Sequence, residues 1–186
     1  ASVCFYFQIH QPFRLRRYSV FRSDPFYFDS ESNQAIMEKV ADKCYRPATA
    51  LMLDLIKRNE GRFKISFSIS GTAIEQMKSW APDVIDLLQQ CAATGCADFL
   101  AETSHHSLTA LYAPAEFASQ VENHVSLMRD LFDIEPVVFR NTELIYSDRI
   151  SELVAETDRF KGMLAEGVDR LLGDRSPAYP YVPAGS

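Results

Sequence analysis

The 186-residue sequence has no long hydrophobic run, no glycine-rich phosphate loop and no excess of positive charge. No apolar stretch approaches the roughly 20 residues that a membrane-spanning helix needs, so we expect no membrane partner. Neither a GxGxxG pattern nor a P-loop follows any predicted strand, which argues against a nucleotide-binding domain. The formal net charge of −6 gives no reason to expect a nucleic acid as partner. A neutral ligand fits this composition better.

The four cysteines and four histidines do not form a recognisable metal site. No two cysteines form a CxxC pair, and none lies at zinc-ligand spacing from a histidine. His105 and His106 are adjacent and are expected to point apart, while His124 lies on an amphipathic helix and is expected at the surface or at the edge of the core. We therefore predict neither a metal ion nor a cofactor.

The cysteine pattern also bears on the compartment of the protein. Cys4 falls in an apolar stretch and Cys44 on a helical face, which predicts buried free thiols. Such thiols favour a reducing compartment, so we expect a cytoplasmic location. No pattern in the sequence indicates an oligomeric state.

Hydrophobic residues alternate between strand-like and helix-like spacing along the chain. The nearly continuous apolar run at residues 3–9 is typical of a strand buried on both faces of a parallel sheet. Further strands are predicted at residues 63–69, 98–101, 137–139 and 162–165. Helices are predicted at residues 33–59 with an interruption at Pro47, at 73–94 with a second start at Pro82, at 114–132 and at 147–157.

This β-α-β-α-β-α-β-α-β order predicts an α/β fold with parallel strands and covering helices. The pattern fits either an open doubly wound sheet or part of a barrel. The length predicts one domain, which we assign to residues 1–186.

Polar residues cluster where the predicted strands end, which is where parallel α/β proteins carry their functional groups. The candidates are Gln8, His10 and Gln11 near the first strand, Asp98, Glu102, His105 and His106 around the third, Arg140, Asn141 and Glu143 after the fourth, and Glu166 after the fifth. Convergence of these groups on one crevice predicts an enzyme.

The fourth strand leads into the sharpest motif, FRNTELIY, which places a carboxylate beside a guanidinium. A neighbouring cation keeps a nucleophilic carboxylate ionised, although Glu143 and Arg140 could equally form a structural ion pair. His10 could donate to a sugar hydroxyl or be satisfied by its own loop. Tyr112 and Tyr146 lie near strand exits and are candidates for stacking on a sugar ring.

Three segments resemble the first three conserved regions of glycoside hydrolase family 57, most closely its α-amylase-type members. They are FQIHQPFRL from Phe7, FLAET from Phe99 with HSL from His106, and FRNTE ending at Glu143. The resemblance runs in order over nearly the whole chain. It implies parallel β/α repeats that form the N-terminal part of an incomplete (β/α)7 TIM-like barrel, so residues 1–186 would be a truncated portion of the catalytic domain.

The resemblance also implies a function. Family members act on α-1,4-linked glucans such as starch, glycogen and maltodextrin, with retention of configuration, by hydrolysis or by transfer to another glucan. The family nucleophile falls on Glu143. The residues predicted to bind substrate are His10, Asp98, Glu102, His106, Arg140 and Tyr146. The family more often has Glu where this chain has Asp98.

One expected part has no match in the sequence. The general acid/base of the family is an Asp in a fourth conserved region, and no corresponding motif occurs before Ser186. The resemblance therefore implies that the acid lies outside this chain and that the chain alone is inactive. Alternatives are a 4-α-glucanotransferase, a non-catalytic α-glucan-binding protein and a metal-dependent polysaccharide deacetylase, the last opposed by the histidine spacing.

Overall fold

A computed structural model describes residues 3–21 and 25–183 of the chain. Its five short strands are Tyr6–Ile9 (β1), Ile65–Ile69 (β2), Ala97–Leu100 (β3), Val138–Arg140 (β4) and Gly162–Leu164 (β5). β1 pairs with β2, β2 with β3, and β4 with β5, and all three pairs are parallel. The predicted α/β architecture with parallel strands is confirmed.

A single residue joins the two sets of strands. Ala101 forms a parallel bridge with Phe139, in which the Ala101 N–H donates to the Val138 carbonyl at 2.9 Å and the Arg140 N–H donates to the Ala101 carbonyl at 2.7 Å. The strands therefore lie in the order β1-β2-β3-β4-β5.

The row of strands is curved. The Arg140 Nη2 donates to the Gln8 Oε1 at 2.8 Å, which connects β4 with β1. Three strand spacings separate these strands, or about 14 Å along a flat sheet. Because side chains stand roughly perpendicular to a sheet, this contact requires the face that carries both residues to be concave.

Helices cover the connections between strands. They are Ser30–Val40 (α1), Arg46–Arg58 (α2), Gly71–Trp80 (α3), Pro82–Ala93 (α4), Thr109–Tyr112 (α5), Pro114–Phe132 (α6), Asp148–Ala155 (α7) and Asp169–Leu172 (α8). The interruption predicted at Pro47 is a π-helical turn over Ala41–Tyr45, so α1 and α2 form one continuous helical segment. Pro82 begins α4 as predicted, and the Ser147 hydroxyl caps α7 by accepting from the Ile150 N–H.

The two faces of the sheet differ in chemistry. Phe67, Phe99 and Phe139 point toward the helices, where the Phe99 ring stacks on Phe132 with 4.4 Å between centroids. Strand alternation turns Ser68 and Glu102 to the opposite, concave face. The polar residues of the strands therefore line the concave face, whereas the helix-facing side is apolar.

Two expectations about burial are wrong. β1 is an edge strand within the described residues, and Tyr6 and Phe7 are each 36% exposed, so this strand is not buried on both faces. Cys4 and Cys44 are exposed. Both thiols from which a reducing compartment is inferred are therefore exposed, and the inference loses its basis. No helix in the described part of the chain is long and apolar enough to cross a membrane.

Candidate active site

Side chains from the ends of four strands meet on the concave face. His10 follows β1, Ser70 follows β2, Glu102 and His106 follow β3, and Glu143 follows β4. Hydrogen bonds and a ring stack connect all five. The strand-end clustering expected from the sequence is present for four of these residues, whereas Ser70 was not among the candidates.

Glu102 lies at the base of the cluster and is fully buried. The Ser68 hydroxyl donates to its Oε1 at 2.9 Å, and the His106 Nδ1 lies 3.0 Å from its Oε2. The structure gives no support for direct contact of Glu102 with substrate, because its side chain has no exposed surface and each of its oxygens has a partner.

His106 connects the buried carboxylate with the exposed one. Its Nε2 lies 3.1 Å from the Glu143 Oε1, opposite the Nδ1 contact with Glu102. The hydrogen bond with Glu102 and then that with Glu143 raise the pKa of His106, although its burial acts in the opposite direction. Both contacts favour the charged ring.

Glu143 is presented on a tight turn over Thr142–Leu144 that follows β4. Its backbone has φ 53° and that of Leu144 has φ 57°, a left-handed conformation that costs a non-glycine residue about 1–3 kcal/mol. Its side chain is 71% exposed. The hydrogen bond from His106, together with the charges of His106, Arg140 and His10, lowers the pKa of Glu143. The carboxylate is therefore ionised and accessible.

His10 lies against the face of His106. The ring centroids are 4.0 Å apart with an angle of 23° between the planes, and the His10 Nδ1 lies 2.7 Å from the Ser70 Oγ. Burial first, and then the like charge of His106, lowers the pKa of His10. Ser70 is fixed in turn as the N-cap of α3, where its hydroxyl accepts from the Ala73 N–H at 3.3 Å.

Arg140 lies beneath the crevice and is buried. Among the described residues, the ion pair of Glu143 is with His106, whereas Arg140 donates to Gln8 and its Nε and Nη1 have no hydrogen-bond partner. The structural ion pair considered from the sequence is therefore not formed. Arg140 influences Glu143 through its charge, and direct substrate binding by its buried guanidinium is not supported.

Three other candidates are not part of the hydrogen-bonded network of the cluster. Asp98 is the second residue of β3, in register with Ser66 and four residues before Glu102, roughly 13 Å along the strand. The Tyr146 hydroxyl donates to Asp148 at 3.1 Å. The Glu166 backbone N–H donates to the Leu144 carbonyl, and the Glu166 carbonyl accepts from the Val168 N–H.

His124 has a structural role that the sequence did not indicate. It is fully buried rather than at the surface or core edge: its Nε2 donates to the Ile69 carbonyl at 2.8 Å and its Nδ1 accepts from the Glu102 N–H at 3.4 Å. Burial lowers its pKa. The available signal was its position within the apolar stripe of α6. Within the described residues, no three His, Cys, Asp or Glu side chains are grouped to hold a metal ion.

Comparison with known proteins identifies the family to which this chain belongs. Residues 4–186 match the model of glycosyl hydrolase family 57. A Methanocaldococcus jannaschii protein named "Putative alpha-amylase" is 38% identical over 183 residues, which cover 96% of this chain and 38% of that protein. This chain therefore spans about two fifths of the relative's length.

Solved structures show similarity of fold alone. The crystal structure of 4-alpha-glucanotransferase from Thermococcus litoralis has a TM-score of 0.65 at 18% identity, over 86% of this chain and 21% of that one. The chitin deacetylase of Colletotrichum lindemuthianum has a TM-score of 0.50 at 19% identity, over 62% of this chain and 48% of that one. With the match over residues 4–186 and the relative from Methanocaldococcus jannaschii, this chain belongs to glycosyl hydrolase family 57.

Proposed function

We propose that this chain is part of the catalytic domain of a retaining glycoside hydrolase that acts on α-1,4-linked glucans, with Glu143 as its nucleophile. The observation that carries the proposal is the exposed Glu143 carboxylate, held ionised by His106 at the mouth of β4. Family membership and the name of the Methanocaldococcus jannaschii relative support the class of substrate. The concave row of five parallel strands supports an incomplete (β/α)7 barrel.

The proposed reaction begins with attack by Glu143 on the anomeric carbon. A bond forms between a carboxylate oxygen and that carbon, and the glycosidic carbon–oxygen bond breaks. The leaving oxygen takes a proton from a second carboxyl group, which in retaining enzymes lies about 5–5.5 Å from the nucleophile. Water then hydrolyses the glycosyl ester with the same group as base.

The second carboxyl group is proposed to come from sequence outside these 186 residues. Glu102 is the other carboxylate of the cluster, but it is fully buried and separated from the crevice by His106. It therefore cannot protonate a leaving group in the crevice.

His10 is proposed to hold the sugar. With its Nδ1 accepting from the Ser70 hydroxyl, the Nε2–H of the neutral ring is left to donate to a sugar hydroxyl. A neutral ring does not repel the positive charge that develops on the sugar in the oxocarbenium-like transition state.

Covalent trapping tests the proposal. In the complete enzyme, a fluorinated maltosyl fluoride should label the peptide that contains Glu143, and mass spectrometry should locate the added sugar there. Because fluoride leaves without prior protonation, the labelling does not depend on the acid. Glu152→Gln, at an exposed carboxylate on α7, should label normally, whereas Glu143→Gln should not.

The same experiment separates the alternatives. A label on another carboxylate, or normal turnover by Glu143→Gln, would contradict the assignment. Release of the label by maltose much faster than by water would indicate a glucanotransferase. Binding of maltooligosaccharides without any labelling would indicate a non-catalytic glucan-binding protein.

A further inference from the structure

We propose that Glu102 is a positioning residue whose buried carboxylate holds His106 as an imidazolium, so that Glu143 stays ionised and oriented while the stacked His10 stays neutral. This inference rests on the proposed role of Glu143 as nucleophile. It assigns to Glu102 and His106 an action through Glu143 in place of the substrate contact expected from the sequence.

The location of Glu102 excludes contact with substrate. Its side chain is fully buried, and the Ser68 hydroxyl and the His106 ring occupy its two oxygens. The backbone N–H of the same residue donates to the buried His124 ring. A buried carboxylate with a partner at each oxygen, on a residue whose backbone is also hydrogen-bonded, can affect the chemistry only through His106.

The two contacts of His106 define its charge. An imidazole donates from both ring nitrogens only when it is protonated, and here a carboxylate lies at each nitrogen, at 3.0 and 3.1 Å. A neutral ring would turn a lone pair toward one of the two carboxylates. Gln8 Nε2 also lies 3.5 Å from His106 Nε2, but this distance is at the outer limit of a hydrogen bond.

The stacked pair can carry only one charge at low cost. With centroids 4.0 Å apart, two imidazolium rings would repel each other, and the buried Arg140 adds a further positive charge to the site. His10 has a hydroxyl partner, whereas His106 has two carboxylates. The proton therefore resides on His106, which faces the charged groups Glu102, Glu143 and Arg140 and the titratable ring of His10.

This arrangement leaves one oxygen of Glu143 for the reaction. His106 occupies Oε1, so Oε2 forms the bond to the anomeric carbon as the glycosidic oxygen departs. His106 transfers no proton in this step. When the ester is hydrolysed, the imidazolium stabilises the departing Glu143 carboxylate, because Glu102 has kept the ring charged.

Two measurements on the complete enzyme test the inference. In the wild-type protein, long-range ¹H–¹⁵N spectra at neutral pH should show His106 protonated on both nitrogens and His10 neutral, with assignments from His106→Gln and His10→Gln. The rate of labelling by the maltosyl fluoride is then measured as a function of pH. Because fluoride leaves without an acid, the fall in this rate on the alkaline side reports the deprotonation of His106.

Glu102→Gln should keep the shape of the side chain and remove its charge. We expect the alkaline loss of labelling to move to lower pH, and the rate at neutral pH to fall roughly 10- to 100-fold, as for the loss of a charged hydrogen bond. Affinity for maltotetraose should not change, because Glu102 does not contact the sugar. Ser68→Ala keeps the charge and removes a donor that withdraws charge from the carboxylate, so it should move the alkaline loss slightly to higher pH, and His105→Gln at the exposed neighbouring ring should not move it.

The possible failures can be told apart. A neutral His106 in the active wild-type enzyme, or a wild-type pH profile in Glu102→Gln, overturns the inference even when Glu143 carries the label. A label on another residue overturns the proposed function. If Glu102→Gln does not fold, the wild-type spectra and Ser68→Ala still decide.

Discussion

Replacing His124 by phenylalanine should strongly destabilise the protein, because this ring satisfies two buried backbone groups. The Ile69 carbonyl accepts from Nε2 at 2.8 Å, and the Glu102 N–H donates to Nδ1 at 3.4 Å. Phenylalanine fills a similar volume but offers neither contact. Each unsatisfied buried group costs about 1–3 kcal/mol, so the free energy of unfolding should fall by roughly 2–6 kcal/mol.

Urea unfolding followed by circular dichroism measures this loss. With a slope of about 2 kcal/mol per M, the midpoint should fall by roughly 1–3 M. His105→Phe, at the exposed ring before His106, is the matched control and should change the unfolding free energy by less than about 0.5 kcal/mol. A loss below about 1 kcal/mol in His124→Phe would refute the reasoning, since two orphaned backbone groups cannot cost so little.

Other substitutions test separate features of the structure. Burial lowers the pKa of His124 from its ordinary 6.5, so its contribution to stability is complete above that value and is lost as the pH falls below it; urea titrations at several pH values should show a weaker acid dependence in His124→Phe. Glu143→Gln should reduce turnover roughly 10⁴-fold or more in steady-state assays while calorimetry shows that maltooligosaccharides still bind. Gly71→Ala should lower the thermal midpoint by the equivalent of about 1–3 kcal/mol, because the added Cβ would lie 2.6 Å from the Ser104 carbonyl oxygen. Asp133→Gly should stabilise the C-terminal end of α6 by up to about 1 kcal/mol in the same assay, because Asp133 has φ 56°.

The sequence predicted the parallel strands and helices well because their patterns are local. Alternating apolar residues mark β2, and Pro82 and Ser147 mark helix starts by chemistry that acts within one turn. The parallel arrangement then requires His10, Glu102 and Glu143 to meet at one edge. The proximity of these three residues can therefore be predicted from the order of the strands along the chain.

What the sequence could not give depends on contacts across the fold. Arg140 lies three residues before Glu143 in the chain, but its side chain reaches across the curved sheet to Gln8. The curvature of a sheet cannot be predicted from a local sequence pattern. Glu102 looks like any strand-end carboxylate until Ser68 and His106 are seen to enclose it. Asp98 lies near the start of β3, far from the crevice at the strand ends. This position along the strand is defined by the register of β3 with β2.

β1 shows the same limit for burial. Its apolar composition predicts a strand covered on both sides, whereas the structure gives it one neighbour within the described residues. The composition of a strand indicates how much burial it can tolerate, whereas the elements packed beside it determine how much of it is buried.

The bridge at Ala101 joins two halves of the sheet whose hydrophobic clusters share one helix. One cluster lies behind β1, β2 and β3 and includes the C-terminal end of α6, and the other lies behind β4 and includes the N-terminal part of α6 together with α7. His10 and His106 belong to the first half and Glu143 to the second. A shift of α6 would disturb both cores at once, so the distance between His106 and the Glu143 carboxylate depends on the packing of this shared helix as well as on the bridge at Ala101.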